Sequence, residues 1–552
     1  LFRSGLLVKP SVGGMPGYVT PESYGAVGVL PGLPANDCKT AFLDALATGL
    51  RVQGNPSLVY GINGTMTICT TGNSAWLARC TFEQLNPNDS ARRTLYASGG
   101  VQVVLEDVTI NRAGDGNGGS LTDAAGIWLA NVTRVFLDRV EVYGDDKGTG
   151  VMCANCSNVT GRDIYVHDIK GGSSAHATIT DDVVSGLSIF GCDRVYLENP
   201  RVANLTTEWS GQTEWARWTR GITFGQGSDG ARRVTIVAPM VDGTDEAIDV
   251  TGGGNVRYGC IIGGYSKDAL TYGIKFANNP QFWTVHGFMA EGSGLHNCVI
   301  SGNAALSPQT SKIIFNACIF LGVGRVSSYW RDQGQENCGA KILNTATTDW
   351  PREVLFKDCF FDGAGGQMKY AIYNQATIGG QGEQWIEQDG CHVANLISGG
   401  RAFFGLHQGF AERRRSAALA CASGSWVDLD FDTSGLKEGM ASASAGSNII
   451  RCMRGGIYQI SASILWDFVA GGSRMARLVR QRTGEGGFTE VPGTYQRVPP
   501  LGAGQMGVPF SALVEANAGT QLKLQIQQDS GSSANAYGTA VIALVQKGTT
   551  FS

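Results

Sequence analysis

One phrase recurs through the middle of the chain and limits what it can fold into: apolar-x-apolar-x-x-apolar-x-apolar. It reads Val103-x-Leu105-x-x-Val108-x-Ile110, then Val135-x-Leu137-x-x-Val140-x-Val142. It returns at 159–166, 195–202, 234–241, 283–290, 313–320 and 354–361, with a looser copy near Val256. Most copies follow a second short strand opened by glycine, as in Gly126-Ile127-Trp128-Leu129, Gly150-Val151-Met152-Cys153, Gly186-Leu187-Ser188-Ile189, Gly221-Ile222-Thr223-Phe224 and Gly273-Ile274-Lys275-Phe276. Alternation of period two marks strands with one buried face. A self-similar unit marks a stacked array. Two or three short strands per unit, joined by polar turns of variable length, predict a parallel β-helix. Each unit is one coil, and its inward side chains stack on those of the next coil about 4.8 Å away. The pattern lacks the Leu/Asn consensus of a leucine-rich repeat and the longer antiparallel strands of a propeller blade.

A chain of 552 residues exceeds one compact core, which suits an elongated solenoid with further domains. Its 78 glycines carry no collagen period and fit the many turns. A net charge of −4 gives no support for a nucleic-acid partner, and no apolar run is long enough to insert across a membrane. The chain opens at Leu1 without a basic and then apolar leader, which reads as a fragment trimmed at its N-terminus. Among 14 cysteines, Cys318 and Cys359 share one inward position of the repeat and Cys153 lies on another, which predicts a ladder of buried thiols. Cys153-x-x-Cys156 has no second pair to complete a zinc site, so neither metal nor cofactor is expected.

In chain order, residues 1–51 form a Gly/Pro-rich lead-in and a short helix over 36–49, placed to cover the open end of a solenoid. The β-helix follows over 52–404. Residues 405–420, with Arg413-Arg414-Arg415, read as a linker. From 421 to 552 separate alternating strands are expected at 425–431, 449–453, 456–468, 475–481, 508–514, 522–527 and 540–546, the pattern of an antiparallel jelly-roll-like sandwich.

Tyr24-Gly25-Ala26-Val27-Gly28, followed by Asn36-Asp37-x-x-Thr40-Ala41-Phe42-x-x-Ala45-Leu46, resembles the opening motif of pectate-lyase-like β-helix proteins, among them phage tailspikes and polysaccharide depolymerases. Ser23 stands where that motif usually has aspartate, and Gly28-Val29-Leu30-Pro31 replaces the Gly-Asp-Gly that normally follows. Gly456-Ile457-Tyr458-Gln459-Ile460-Ser461-Ala462-Ser463, with 515–522, resembles the trimeric C1q/TNF-like jelly roll. The resemblance implies an all-β, right-handed, single-stranded parallel β-helix with a C-terminal sandwich that trimerises or binds sugar. It further implies a homotrimer on a virion tail, joined to the tail or baseplate through a preceding segment. Such a protein acts outside the cell on a bacterial surface polysaccharide, O-antigen or capsule.

Used as a ruler, the repeat places outward residues of successive coils side by side. Arg220, Glu246 and Tyr272 fall in one column, and Thr223, Asp249 and Lys275 in another. The segment 241–250 holds Asp242, Asp245, Glu246 and Asp249, the densest carboxylate group of the solenoid; one coil on, Asp268 falls in the column of Asp242, with Lys267 before it. The preceding insertion supplies Glu208, Trp209, Glu214, Trp215, Arg217 and Trp218; tryptophan rings stack on sugar faces. Hydrolysis of a glycoside needs one protonated and one ionised carboxyl. Glu246 and Asp249, roughly 10 Å apart on an extended strand, are the candidate pair, with Asp245, Asp242 and Asp268 as further acids. A lyase acting on a uronate needs cations and a base, for which Lys275, Lys267, Arg217, Arg220 and Tyr272 are placed. A non-cleaving adhesin would use the same tryptophans. Rival acidic groups are Asp145, Asp146 and Lys147 with Asp181 and Asp182, and Trp330, Arg331, Asp332 and Glu336 with Glu383, Trp385, Glu387 and Asp389.

Overall fold

The computed structural model describes residues 17–85, 93–112, 125–144, 148–171, 184–207, 219–225, 230–252, 256–302, 310–323, 337–343, 351–374, 386–404, 410–430, 433–438, 449–452, 456–467, 469–482, 484–499, 506–517 and 520–547. The chain divides into two units. One holds Leu1–Lys341, Lys357–Ile372 and Gly390–Ala402; the other holds Ile342–Phe356, Tyr373–Asp389 and Phe403–Ser552.

The first unit is a parallel β-helix. The short strands stack as one parallel sheet in the order Met66–Cys69, Arg93–Ser98, Ala125–Ala130, Thr149–Ala154, Val184–Phe190, Thr219–Phe224, Glu246–Thr251, Tyr272–Ala277 and His296–Ser301. Their inward residues form buried columns such as Ile127, Val151, Leu187, Ile222, Ile248 and Ile274.

The recurring phrase supplies the rest of each coil, and the structure explains its central doublet. The second residue of the doublet is left-handed: φ lies between 49° and 64° at Asp107, Arg139, Asp163, Asn199, Ala238, Gly263, Gly287, Ala317, Asp358 and Gly390. One residue in this conformation turns the strand through a corner and resets the alternation, so apolar side chains on both sides point inward. Outside glycine, asparagine and aspartate tolerate the conformation best. Corner N–H groups donate to the next coil, as from Asp163 to Glu198 (2.9 Å), Asn199 to Val237 (2.8 Å) and Ala238 to Ile262 (2.8 Å). A second left-handed column, Asp168, Asn204, Gly243, Asp268, Gly292 and Gly322, turns each coil back toward the short-strand sheet.

The looser copy near Val256 has a packing cause. Gly259 stands in the inward column between Val234 and Trp283. Trp283 is fully buried, and a Cβ on Gly259 would lie 2.3 Å from its ring. One indole therefore fills the volume of two coils, resting also against Phe224 and Phe276 (ring centroids 5.9 and 5.8 Å). At the N-terminal end the helix Lys39–Ala47 presses buried Phe42 edge-on against Tyr60 (5.1 Å) and Phe82 (4.9 Å), closing the first coils. All 14 cysteines are free thiols. Cys156 and Cys192 meet on successive coils, the Cys156 N–H donating to the Cys192 Sγ at 3.3 Å.

In the second unit the sandwich pairs antiparallel strands. One sheet runs Thr433–Glu438, Phe410–Cys421, Ala534–Lys547, Gly456–Trp466, Met506–Ala516; the other is built on Gln521–Gln528 and Arg474–Gln481. Trp466, Tyr458, Phe510, Leu478, Leu524 and Ile526 lie in the core between them. The linker expected at 405–420 is corrected here. Residues 405–409 lie outside the described residues, but Phe410–Cys421 is a strand flanked on both sides. A bulge between Arg415 and Leu419 breaks the alternation that would have marked it. Arg415 turns its guanidinium to Asp430 (3.1 Å) and to the Ala417 carbonyl (2.7 Å).

Replacing Gly259 by alanine forces a methyl against the Trp283 ring and should destabilise the solenoid by about 1–3 kcal/mol, read by denaturant unfolding. The same change placed beside Trp283→Leu should cost much less; equal costs in both backgrounds would refute the shared-volume account.

Candidate functional site

A strand that begins at a corner does not alternate cleanly, and this builds the site. At the start of the short strands two consecutive residues face inward. In Glu246–Thr251 they are Ala247 and Ile248, both fully buried. Glu246 and Asp249, three residues apart, consequently emerge on the same outer face. In the parallel register Glu246 lies between Arg220 and Tyr272, and Asp249 between Thr223 and Lys275.

The four charged groups close into a tetrad. Arg220 Nε is 3.4 Å from Glu246 Oε2 and 3.2 Å from Asp249 Oδ2. Lys275 Nζ is 2.9 Å from Glu246 Oε1 and 3.7 Å from Asp249 Oδ1. Each cation thus bridges both acids. Two carboxyl oxygens within 3.4 Å of one nitrogen cannot be 10 Å apart, so the spacing expected from an extended strand is corrected. The corner folds the pair together.

The acids are also not on an open groove. Both carboxylate side chains have 0% exposure, while Lys275 keeps 16% and Arg220 26%. Burial is the largest influence on each acid and favours its neutral form. For Glu246 burial, reinforced by the charge on Asp249, prevails over Lys275 and Arg220, and its pKa is raised. For Asp249 the same burial is outweighed by Lys275, Arg220 and a hydrogen bond from the Thr251 hydroxyl, and its pKa is lowered. One acid is pushed toward holding a proton and the other toward losing it, the division of roles an acid–base pair requires.

The other candidates have different places. Asp245 is fully buried and fixes backbone: its Oδ2 accepts the Thr219 N–H (2.9 Å), its N–H donates to Thr219 Oγ1 (2.8 Å), and its carbonyl accepts from Thr271 Oγ1 (2.6 Å). Tyr272 stacks its ring on buried His296 (5.9 Å, 15°) beside the tetrad. Asp242 belongs to Met240–Asp242 on another face, where it opposes Lys267 rather than Asp268. Asp268 is an exposed left-handed corner residue, so neither it nor Asp242 joins the tetrad. Trp209, Trp215, Arg217 and Trp218, with Glu208 and Glu214, lie outside the described residues. So do Asp145, Asp146, Lys147, Asp181, Asp182, Trp330, Arg331, Asp332, Glu336, Glu383 and Trp385. Glu387 and Asp389 are described, in the strand Ile386–Asp389 of the other unit. Sequence reasoning overlooked Thr251 and His296. The column that holds Glu246 and Tyr272 leads directly to His296, so the repeat itself carried that signal.

No family model matches the chain, and no curated protein matches it. Solved structures do. A double mutant of the tailspike protein of E. coli bacteriophage HK620 aligns over 96% of this chain and 93% of its own, at 7% identity and a TM-score of 0.43. The globular domain of zebrafish complement 1qA aligns over 25% of this chain and 99% of its own (11% identity, TM-score 0.21). The Eiger TNF of S. frugiperda aligns over 26% and 96% (8% identity, TM-score 0.22).

Replacing Lys275 by methionine leaves two buried carboxylates to one guanidinium and should cost about 3–5 kcal/mol in chemical unfolding. Adding Asp249→Asn should restore most of that stability. A Lys275→Met protein as stable as the parent would show that the tetrad does not act as a coupled buried unit.

Proposed function

We propose that this chain is a homotrimeric phage tailspike that binds a bacterial surface polysaccharide, O-antigen or capsule, and cleaves it internally by glycoside hydrolysis. The observation that carries the reading is the geometry of two acids brought onto one face of the strand and bridged by both Arg220 and Lys275; burial pushing Glu246 toward its neutral form while the cations hold Asp249 toward its ionised form agrees with it. The resemblance of the opening motif to pectate-lyase-like β-helix proteins, phage tailspikes among them, and of the C-terminal sandwich to the trimeric C1q/TNF-like jelly roll supports the phage setting, the trimer and action on the virion tail.

In this reading Glu246 gives its proton to the oxygen of the leaving sugar as the glycosidic bond breaks. Asp249 stabilises the positive anomeric carbon. The short separation imposed by the shared guanidinium favours direct attack by Asp249 and a covalent glycosyl intermediate, which water then hydrolyses with Glu246 accepting the proton. Arg220 and Lys275 keep Asp249 ionised and hold both carboxyls in place. Elimination from a uronate is the less supported reaction, because two of the cations placed for it, Arg220 and Lys275, are already engaged by carboxylates. The zero exposure of the two acids favours a second reading, a non-cleaving adhesin in which the tetrad only holds the sheet together.

Sizing the polysaccharide after incubation separates these readings. Shortened chains are expected, with Glu246→Gln and Asp249→Asn each losing about 10²–10⁴ in rate. Unshortened chains favour the adhesin, and fragments with a new ultraviolet-absorbing unsaturated end favour the lyase. The rate should also be bell-shaped in pH. It falls at low pH as Asp249 protonates, below the usual aspartate range, and at high pH as Glu246 loses its proton, above the usual glutamate range. A profile with no alkaline limb would remove Glu246 as the acid.

A further inference from the structure

The outward column that contains Asp249 continues in unbroken register toward the N-terminus: Asp249, Thr223, Ser188, Met152, Trp128, Tyr96, Thr67. The neighbouring column runs Glu246, Arg220, Ser185 and, further along, Thr149, Ala125 and Arg93. Arg93 stands to Tyr96 as Glu246 stands to Asp249, three residues before it on a strand of the same sheet. The Arg93 guanidinium lies 3.8 Å from the Trp128 ring centroid and 4.6 Å from that of Tyr96. Both rings are half-buried. The cation fixes two aromatic faces on adjacent coils, so little side-chain entropy is left to lose on binding.

Between this group and the tetrad the floor is made of Thr149, Met152, Ser185, Ser188 and Thr223. All are low-lying and nearly buried, and all but Met152 are hydroxyl side chains. No charged side chain of the described residues in either column interrupts that stretch. Trp128 and Asp249 are four coils apart, about 19 Å at about 4.8 Å per coil. A disaccharide does not cover that distance; an extended oligosaccharide of several units does.

We propose that Trp128, Tyr96 and Arg93 form a stacking platform for the same glycan chain, four coils from the acids, and that the distance between the two makes binding depend on chain length. The inference rests on the glycan reading above. The platform takes the apolar face of a sugar ring against the parts of Trp128 and Tyr96 that Arg93 does not cover. The hydroxyl floor hydrogen-bonds the intervening units, and a distal unit meets the tetrad at Arg220 and Lys275, its members in contact with solvent. The platform binds and positions; it takes no part in bond cleavage.

The test is calorimetric titration of the Asp249→Asn protein, in which cleavage is slowed enough for binding to be read, with size-fractionated fragments of acid-treated lipopolysaccharide O-chain or capsule from a strain whose intact polysaccharide the parent protein binds. In that background Trp128→Ala should weaken binding of fragments long enough to bridge the two sites about tenfold, and leave the affinity for disaccharides unchanged. Trp128→Phe should retain most of the affinity. Arg93→Met is the second variant, expected to weaken long fragments selectively while melting as the parent does, should Trp128→Ala fail to fold. Equal affinities of parent and both variants for long fragments would overturn the platform alone and leave the functional reading standing. Failure of the parent to bind any surface polysaccharide would overturn both.

Discussion

Everything in the solenoid depends on coil-to-coil register. A parallel coil is stable only if each strand returns to the same phase one strand spacing further along, so that N–H and C=O groups pair and inward side chains stack. The left-handed corners enforce this. A chain that merely alternated would run straight, and one residue of slip would turn its apolar set outward. A non-glycine residue in this conformation costs on the order of 1–3 kcal/mol. Stacking offsets that cost, because corner N–H groups such as those of Asp163, Asn199, Ala238 and Ala317 find a carbonyl of the next coil. Side chains add to it: the Asn199 amide donates to Asp163 and the Asn204 amide to Asp168 (3.2 and 3.1 Å).

The same register produces the charged site. Residues 26 to 29 apart in sequence come within reach because their columns run side by side on adjacent coils: Lys275 stands opposite Asp249 and donates diagonally to Glu246 (2.9 Å). Two buried acids would repel each other and neutralise; two interleaved cations prevent this and impose asymmetry. Glu246 keeps more of the penalty of burial, and Asp249 more of the benefit of the cations and of Thr251. Arg220 and Lys275 retain some contact with solvent, so the tetrad meets solvent through its cations rather than lying in a sealed core. A catalytic role and a structural role draw on the same four contacts, and reaction products separate them where geometry does not.

Several features were legible from residue order. The period-two alternation and its doublet placed the coils, and counting from one short-strand start to the next paired Glu246 with Arg220 and Tyr272, and Asp249 with Lys275. Other features were hidden for definite reasons. Gly259 looked like a lapse in the repeat because its column is filled by Trp283 of the next coil. Asp268 was set beside Asp242 because the turn between Lys267 and Tyr272 holds one residue more than that between Asp242 and Glu246. Counting back from the strand start therefore slipped by one. The strand Phe410–Cys421 was hidden by its bulge, which removes the very signal that identifies strands.

The sequence by itself determined the class of fold, the order of the coils and which side chains share a column, because these follow from periodicity and a spacing that the backbone sets. Tertiary structure alone decided how far apart Glu246 and Asp249 stand, that both lie out of contact with solvent, and which of them holds its proton more tightly. Those properties depend on the bend at a corner, on what covers the sheet, and on charges from three coils acting at once through a poorly screened interior. No single segment of the chain contains that information.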